Sequence, residues 1–109
     1  MIRRSAALAA LVLASSALAQ IQWPEACEEA VDWLLRDLPA ESRANLAAYK
    51  KDELILLHHG FGTGIRNEFG LWGGNTSLIQ SCSGNSDSQP DAVSTIIIER
   101  AWAKLQKQP

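Results

Sequence analysis

Asp91-Ala92-Val93-Ser94-Thr95-Ile96-Ile97-Ile98-Glu99-Arg100-Ala101-Trp102-Ala103-Lys104-Leu105 is the stretch that decides the fold class. On propensity alone its three consecutive isoleucines suit a β-strand. The spacing says otherwise. Val93, Ile97 and Ala101 fall on one line of a helix, and Ile98, Trp102 and Leu105 fall on the next. Asp91 precedes the run where a helix N-cap is expected. A period sustained over the whole stretch outweighs three β-branched residues, so the segment is read as the terminal helix of an all-α domain.

Working towards the N-terminus, the same period recurs. Pro24 to Leu38 reads as a first helix. Pro24 suits its opening turn, and Glu25, Glu28 and Glu29 place negative charge where the helix dipole favours it. Ala30, Val31, Leu34, Leu35 and Leu38 form its apolar stripe, and Cys27 lies on that stripe. Glu41 to Tyr49 is a weaker second helix. Asp52 is expected to cap a third segment, Glu53 to His59. Its Leu54-Ile55-Leu56-Leu57 run is continuously apolar and is read as buried, helix preferred over strand. Six of the seven glycines fall between Gly60 and Gly74, which predicts irregular backbone with specific turns. Asn75 to Cys82 reads as a short helix and Ser83 to Gln89 as a polar loop. The expected architecture is a compact bundle of four to five short helices with a Gly-rich irregular segment and one disulfide.

The first residues predict export. Met1-Ile2-Arg3-Arg4 is a cationic start, Ser5 to Ser16 is uncharged and apolar, and Ala17-Leu18-Ala19 has the small-x-small pattern of a cleavage site. A run of roughly 14 apolar residues is short for a membrane span, which needs about 20. Residues 1–19 are therefore read as a signal peptide cleaved after Ala19, with residues 20–109 as one small domain, periplasmic or secreted. No later segment is long and apolar enough to span a membrane. The full chain carries 10 basic and 12 acidic residues; losing Arg3 and Arg4 leaves 8 against 12, or −4. A domain of that charge without a basic run is a poor nucleic-acid binder.

Cys27 and Cys82 are the only cysteines. In an oxidising compartment they are expected to pair rather than remain as two buried thiols. The bridge would close a loop of roughly 55 residues, worth about 4 kcal/mol by chain entropy. Two cysteines without other soft ligands make a poor zinc site, so no metal and no cofactor is expected.

Leu57-His58-x-Gly60-x-Gly62-x-x-Ile65-Arg66-Asn67-x-x-Gly70-Leu71-Trp72 carries a resemblance. The pattern is similar to the core of a bacterial family, domain-of-unknown-function family 6794. The similarity runs from about Ala30 to Leu105 and takes in Asn75, Pro90-Asp91, Ser94 and Trp102. His59 stands where that pattern expects an apolar or aromatic residue. The resemblance implies a fold unit and brings no activity with it.

Chemistry must then be sought in the residues. Gly60-Phe61-Gly62-Thr63-Gly64 has neither the spacing of a dinucleotide fingerprint nor the lysine of a P-loop. His58 and His59 are adjacent, point apart, and have no ligand three or four residues earlier. His58 alone suits a general acid or base, or a helix-end residue bonded to nearby carbonyls. Arg66 offers a planar fork for an anionic ligand or a partner's carboxylate, and Asn67 offers donor and acceptor together. The alternative pairs Arg66 with Asp52, Glu68 or Asp91. Trp72, between Leu71 and Gly73, suits either an exposed platform or a core plug, whereas Trp23, Trp33 and Trp102 read as core. No nucleophile–base pattern stands out.

The expected function is non-catalytic binding of an unidentified protein or a small anionic ligand. The Gly60–Gly74 segment would be the surface, with Arg66, Asn67, His58 and Trp72 as its residues. The alternatives are a small hydrolase using His58 as acid or base with Arg66 holding an anion, and a purely structural domain.

Overall fold

In a computed structural model the described residues are 22–108, and they form five α-helices and one 3-10 helix without a strand. The expected signal peptide and its cleavage site lie outside the described residues. Helix α1 spans Cys27–Asp37 and α2 spans Ala40–Ala48; the 3-10 helix spans Lys51–Leu57. Helix α3 spans Phe61–Glu68, α4 spans Thr76–Ser83 and α5 spans Pro90–Gln106.

Helix α5 is the hub, packing against α1, α2, α3, α4 and the 3-10 helix. Its Val93, Ser94, Ile97, Ile98, Ala101 and Leu105 are buried. The spacing of three and four residues gives two adjoining apolar lines, so neighbours pack on more than one side. Burying each large aliphatic side chain contributes about 1.5–3 kcal/mol, which overrides the β preference of the isoleucine run. Helix α1 presents Ala30, Val31, Leu34 and Leu35 to this core. Pro39 then prevents its continuation, and Arg43 of α2 closes its end. That guanidinium donates to the carbonyls of Leu35 at 3.1 Å and Leu38 at 3.0 Å. Cys27 and Cys82 form a disulfide that ties α1 to α4 across 55 residues of chain.

Five local expectations are corrected. Helix α1 begins at Cys27 rather than Pro24, which is buried in the preceding extended segment. Asp52 is not a cap; it lies inside the 3-10 helix, and the Glu53 carboxylate accepts from the Lys50 N–H at 2.7 Å. In the apolar run after it only Leu54 is buried, while Ile55 and Leu56 lie in solvent. Asp91 is no cap either, because α5 opens with Pro90 at its first position and Asp91 sits in the first turn.

The fifth correction bears on function. The Gly-rich segment is irregular only in its second half. Residues 61–68 are α-helical despite Gly62 and Gly64, since the helix buries Gly62, Ile65 and Arg66 against its neighbours. Tertiary packing outweighs the low helix propensity of glycine.

Candidate functional site

Helix α3 runs beside α5, and the polar contact between them centres on Arg66. Its side chain lies back towards the helix N-terminus, as long side chains on helices do. That path crosses Gly62, where an added Cβ would meet Arg66 Nη1 at 3.0 Å. Gly62 is therefore the space in which the guanidinium lies. Nη1 donates to Ser94 Oγ at 2.9 Å, and Nη2 donates to Thr63 Oγ1 at 2.9 Å and to the His58 carbonyl at 3.3 Å. Nε stands 3.4 Å from Asp91 Oδ1. Ser94 is satisfied in both senses, since its hydroxyl donates to the Asp91 carbonyl at 2.9 Å. Arg66 is only 6% exposed, and every nitrogen of its fork has a partner inside the chain.

His58 joins the cluster from the other side. Its Nε2 is 3.7 Å from Asp91 Oδ2, and its ring packs edge-on against His59. Asp91 thus stands between the half-buried imidazole and the guanidinium. Thr63 adds a hydroxyl that donates to the His59 carbonyl. Of the three acids that could have paired with Arg66, Asp91 is the partner. Among the described residues the His58 ring bonds no backbone carbonyl; it faces the Asp91 carboxylate instead.

Past α3 the chain makes a tight reversal. Gly70 has φ +67°, the Leu71 N–H donates to the Arg66 carbonyl at 3.0 Å, and the Gly70 N–H donates to Asn67 at 3.4 Å. This is a Schellman ending, which requires a left-handed residue after the helix. Gly70 is required a second time, because a Cβ there would stand 2.2 Å from the Trp23 ring. Buried Asn75 fixes the far end of the reversal. Its amide donates to the carbonyls of Pro24 and Phe69, both at 2.8 Å, and its Oδ1 accepts from the Leu78 N–H as the cap of α4.

The turn so held presents Trp72. It is 62% exposed, whereas its neighbours Phe69 and Leu71 are buried. Asn67, on α3, is also exposed. The four candidates therefore divide. Arg66 and His58 meet at Asp91, while Asn67 and Trp72 face solvent. Trp33 and Trp102 pack partly buried against the core, and the Trp102 indole donates to the Tyr49 carbonyl at 2.8 Å.

Ser94, Gly62 and Thr63 were missed as members of the Arg66 cluster. Gly62 and Arg66 are separated by one helical turn, so helical periodicity through the glycines would have exposed that relation. Nothing local links Ser94 to Arg66. Among the described residues no group of three or more His, Cys, Asp or Glu side chains is placed to hold a metal ion. No described helix is long and apolar enough to cross a membrane.

No curated protein and no solved structure matches this chain. Residues 23–105, which hold every described helix except Gln106 at the end of α5, match the family described as domain of unknown function (DUF6794), and the chain belongs to that family.

Proposed function

We propose that this is a non-catalytic interaction domain of the bacterial periplasm or extracellular space, with the Gly60–Gly74 segment as its contact surface. The observation that carries the reading is Trp72, 62% exposed on a turn clamped by Gly70, Trp23 and Asn75. A large aromatic held in water by a stiff turn loses little conformational entropy on binding, and such residues anchor interfaces. Asn67 supplies an exposed donor and acceptor within the same segment.

The hydrolase reading has less support. It needs Arg66 to hold an anion, yet the fork is buried and bonded to Ser94, Thr63, His58 and Asp91. Presenting it to a ligand would first break those contacts.

The test is binding of fluorescently labelled wild type and Trp72→Ala to peptide and oligosaccharide arrays. Wild type is expected to retain a subset of spots that the variant loses. No binding by wild type, or equal binding by both proteins, would sink the reading.

A further inference from the structure

We propose that the groove between α1, α2 and α3 is a second docking site, taking a basic peptide segment that carries two large apolar side chains. It goes beyond the Trp72 reading and uses the helical half of the same segment, where α3 faces α1 and α2, rather than the turn that carries Trp72.

The groove has two adjoining lobes of about 310 and 250 Å³. Leu38 and Phe61 line both and form the saddle between them. Trp33, Ile65 and Phe69 wall the larger lobe; Leu46, Tyr49 and Leu57 wall the smaller. Each lobe lies at or below the lower end of small-molecule pockets, roughly 300–1,000 Å³. Two open lobes across a saddle instead fit successive apolar anchors of a peptide, as in helix-in-groove recognition.

Charge selects the occupant. Asp37 and Glu68 line the larger lobe, and among the described residues no Lys, Arg or His lines either one. Asp37 has a contact with Arg36 at 3.7 Å, and Arg36 itself lies over the Trp33 ring. Glu68 makes no ion pair among the described residues, so a Lys or Arg of the partner would meet an uncommitted carboxylate beside an aromatic wall.

Gly64 adds to the case. It is destabilising inside a helix relative to alanine, and its φ is not one that requires glycine. Gly62 accommodates Arg66, but a Cβ on Gly64 would meet nothing within 4 Å. The space above Gly64 is unused by the described residues and opens on the larger lobe.

The experiment is selection from a phage-displayed random peptide library on the oxidised domain. The selected peptides are then measured against wild type, Gly64→Leu, Glu68→Lys and Trp72→Ala. The expected peptides carry a Lys or Arg beside two large apolar residues. They should bind Gly64→Leu and Glu68→Lys about tenfold more weakly or worse, and Trp72→Ala as well as wild type. Gly64→Leu should melt no lower than wild type, since its side chain enters open space. Failure to enrich any peptide, enrichment without a basic residue, or binding undiminished by Gly64→Leu would overturn the proposal. Peptides lost only on Trp72→Ala would also overturn it while supporting the Trp72 surface. A wild-type dimer in sedimentation that Gly64→Leu disperses would overturn it in favour of a second copy of the chain.

Discussion

Arg66 and Trp72 lie on one short segment, and the fold treats them in opposite ways. The charged side chain is 6% exposed and the large aromatic one is 62% exposed. Hydrophobicity alone would reverse that order. Arg66 can be buried because Gly62 leaves it room and Ser94, Thr63, His58 and Asp91 satisfy its donors. Trp72 stays in water because the Schellman ending at Gly70 and the Asn75 amide fix the backbone that carries it. One half of the segment holds the helices together, and the other half is displayed.

The sharpest way to break this comparison is Gly70→Ala. The substitution forces a side chain into left-handed backbone and drives its Cβ into the Trp23 ring. Strain and overpacking together should cost about 3 kcal/mol, read as a lower midpoint in thermal denaturation. A small effect would mean that the turn is not clamped. Asn75→Ala comes next. It leaves the Pro24 and Phe69 carbonyls without their donor and α4 without its cap, a loss of about 2 kcal/mol. Denaturant titration at unchanged slope would report it.

Gly64→Ala should move stability the other way. The position is helical, exposed and open, so alanine is expected to stabilise by about 0.4–1 kcal/mol. The same change at Gly62 should destabilise, because its Cβ would press on Arg66. Opposite signs at two glycines of one helix would sharpen the division between an inward and an outward face. The smallest effect concerns a contact away from both halves. The Lys104 ammonium of α5 donates to Asp32 of α1, and also to Glu28, which raises its pKa above the ordinary 10.5. A raised pKa means that the contribution is intact below the unfolded value and is lost as pH climbs through the folded one. The Lys104 contribution to melting should therefore fade only above about pH 10.5, with Trp72 and Arg66 variants losing it in parallel.

The sequence made the long helices legible and the site only partly so. Helices α1 and α5 were readable because their apolar residues repeat at three and four positions, and the cysteine pair was readable from parity. The isoleucine run reads as helix because the period continues to Leu105, and it is helical. Glycine count misled at Gly62 and Gly64, where packing of Ile65 and Arg66 holds a helix that propensity disfavours. Asp52 and Asp91 both have the residue type of a cap, yet Glu53 and Pro90 occupy the decisive positions. Burial of the whole Leu54–Leu57 run failed because a 3-10 helix turns Ile55 and Leu56 outward. For Arg66, Asp91 was among three possible partners, and chemistry alone does not choose among acids that only the packing of α3 on α5 brings into reach.

The most direct measurement is a thermal melt of the oxidised domain comparing Arg66→Ala with Trp72→Ala. Removing Arg66 breaks a buried network and should cost about 2–3 kcal/mol, since Asp91 can regain water. At roughly 4–8 °C per kcal/mol for a domain of this size, its midpoint should fall by roughly 10–20 °C. Trp72→Ala should stay within about 0.5 kcal/mol of wild type, as exposed positions do. An Arg66→Ala melt that barely moves, or a Trp72→Ala melt that falls as far, would contradict the division of the segment into a structural half and a displayed half.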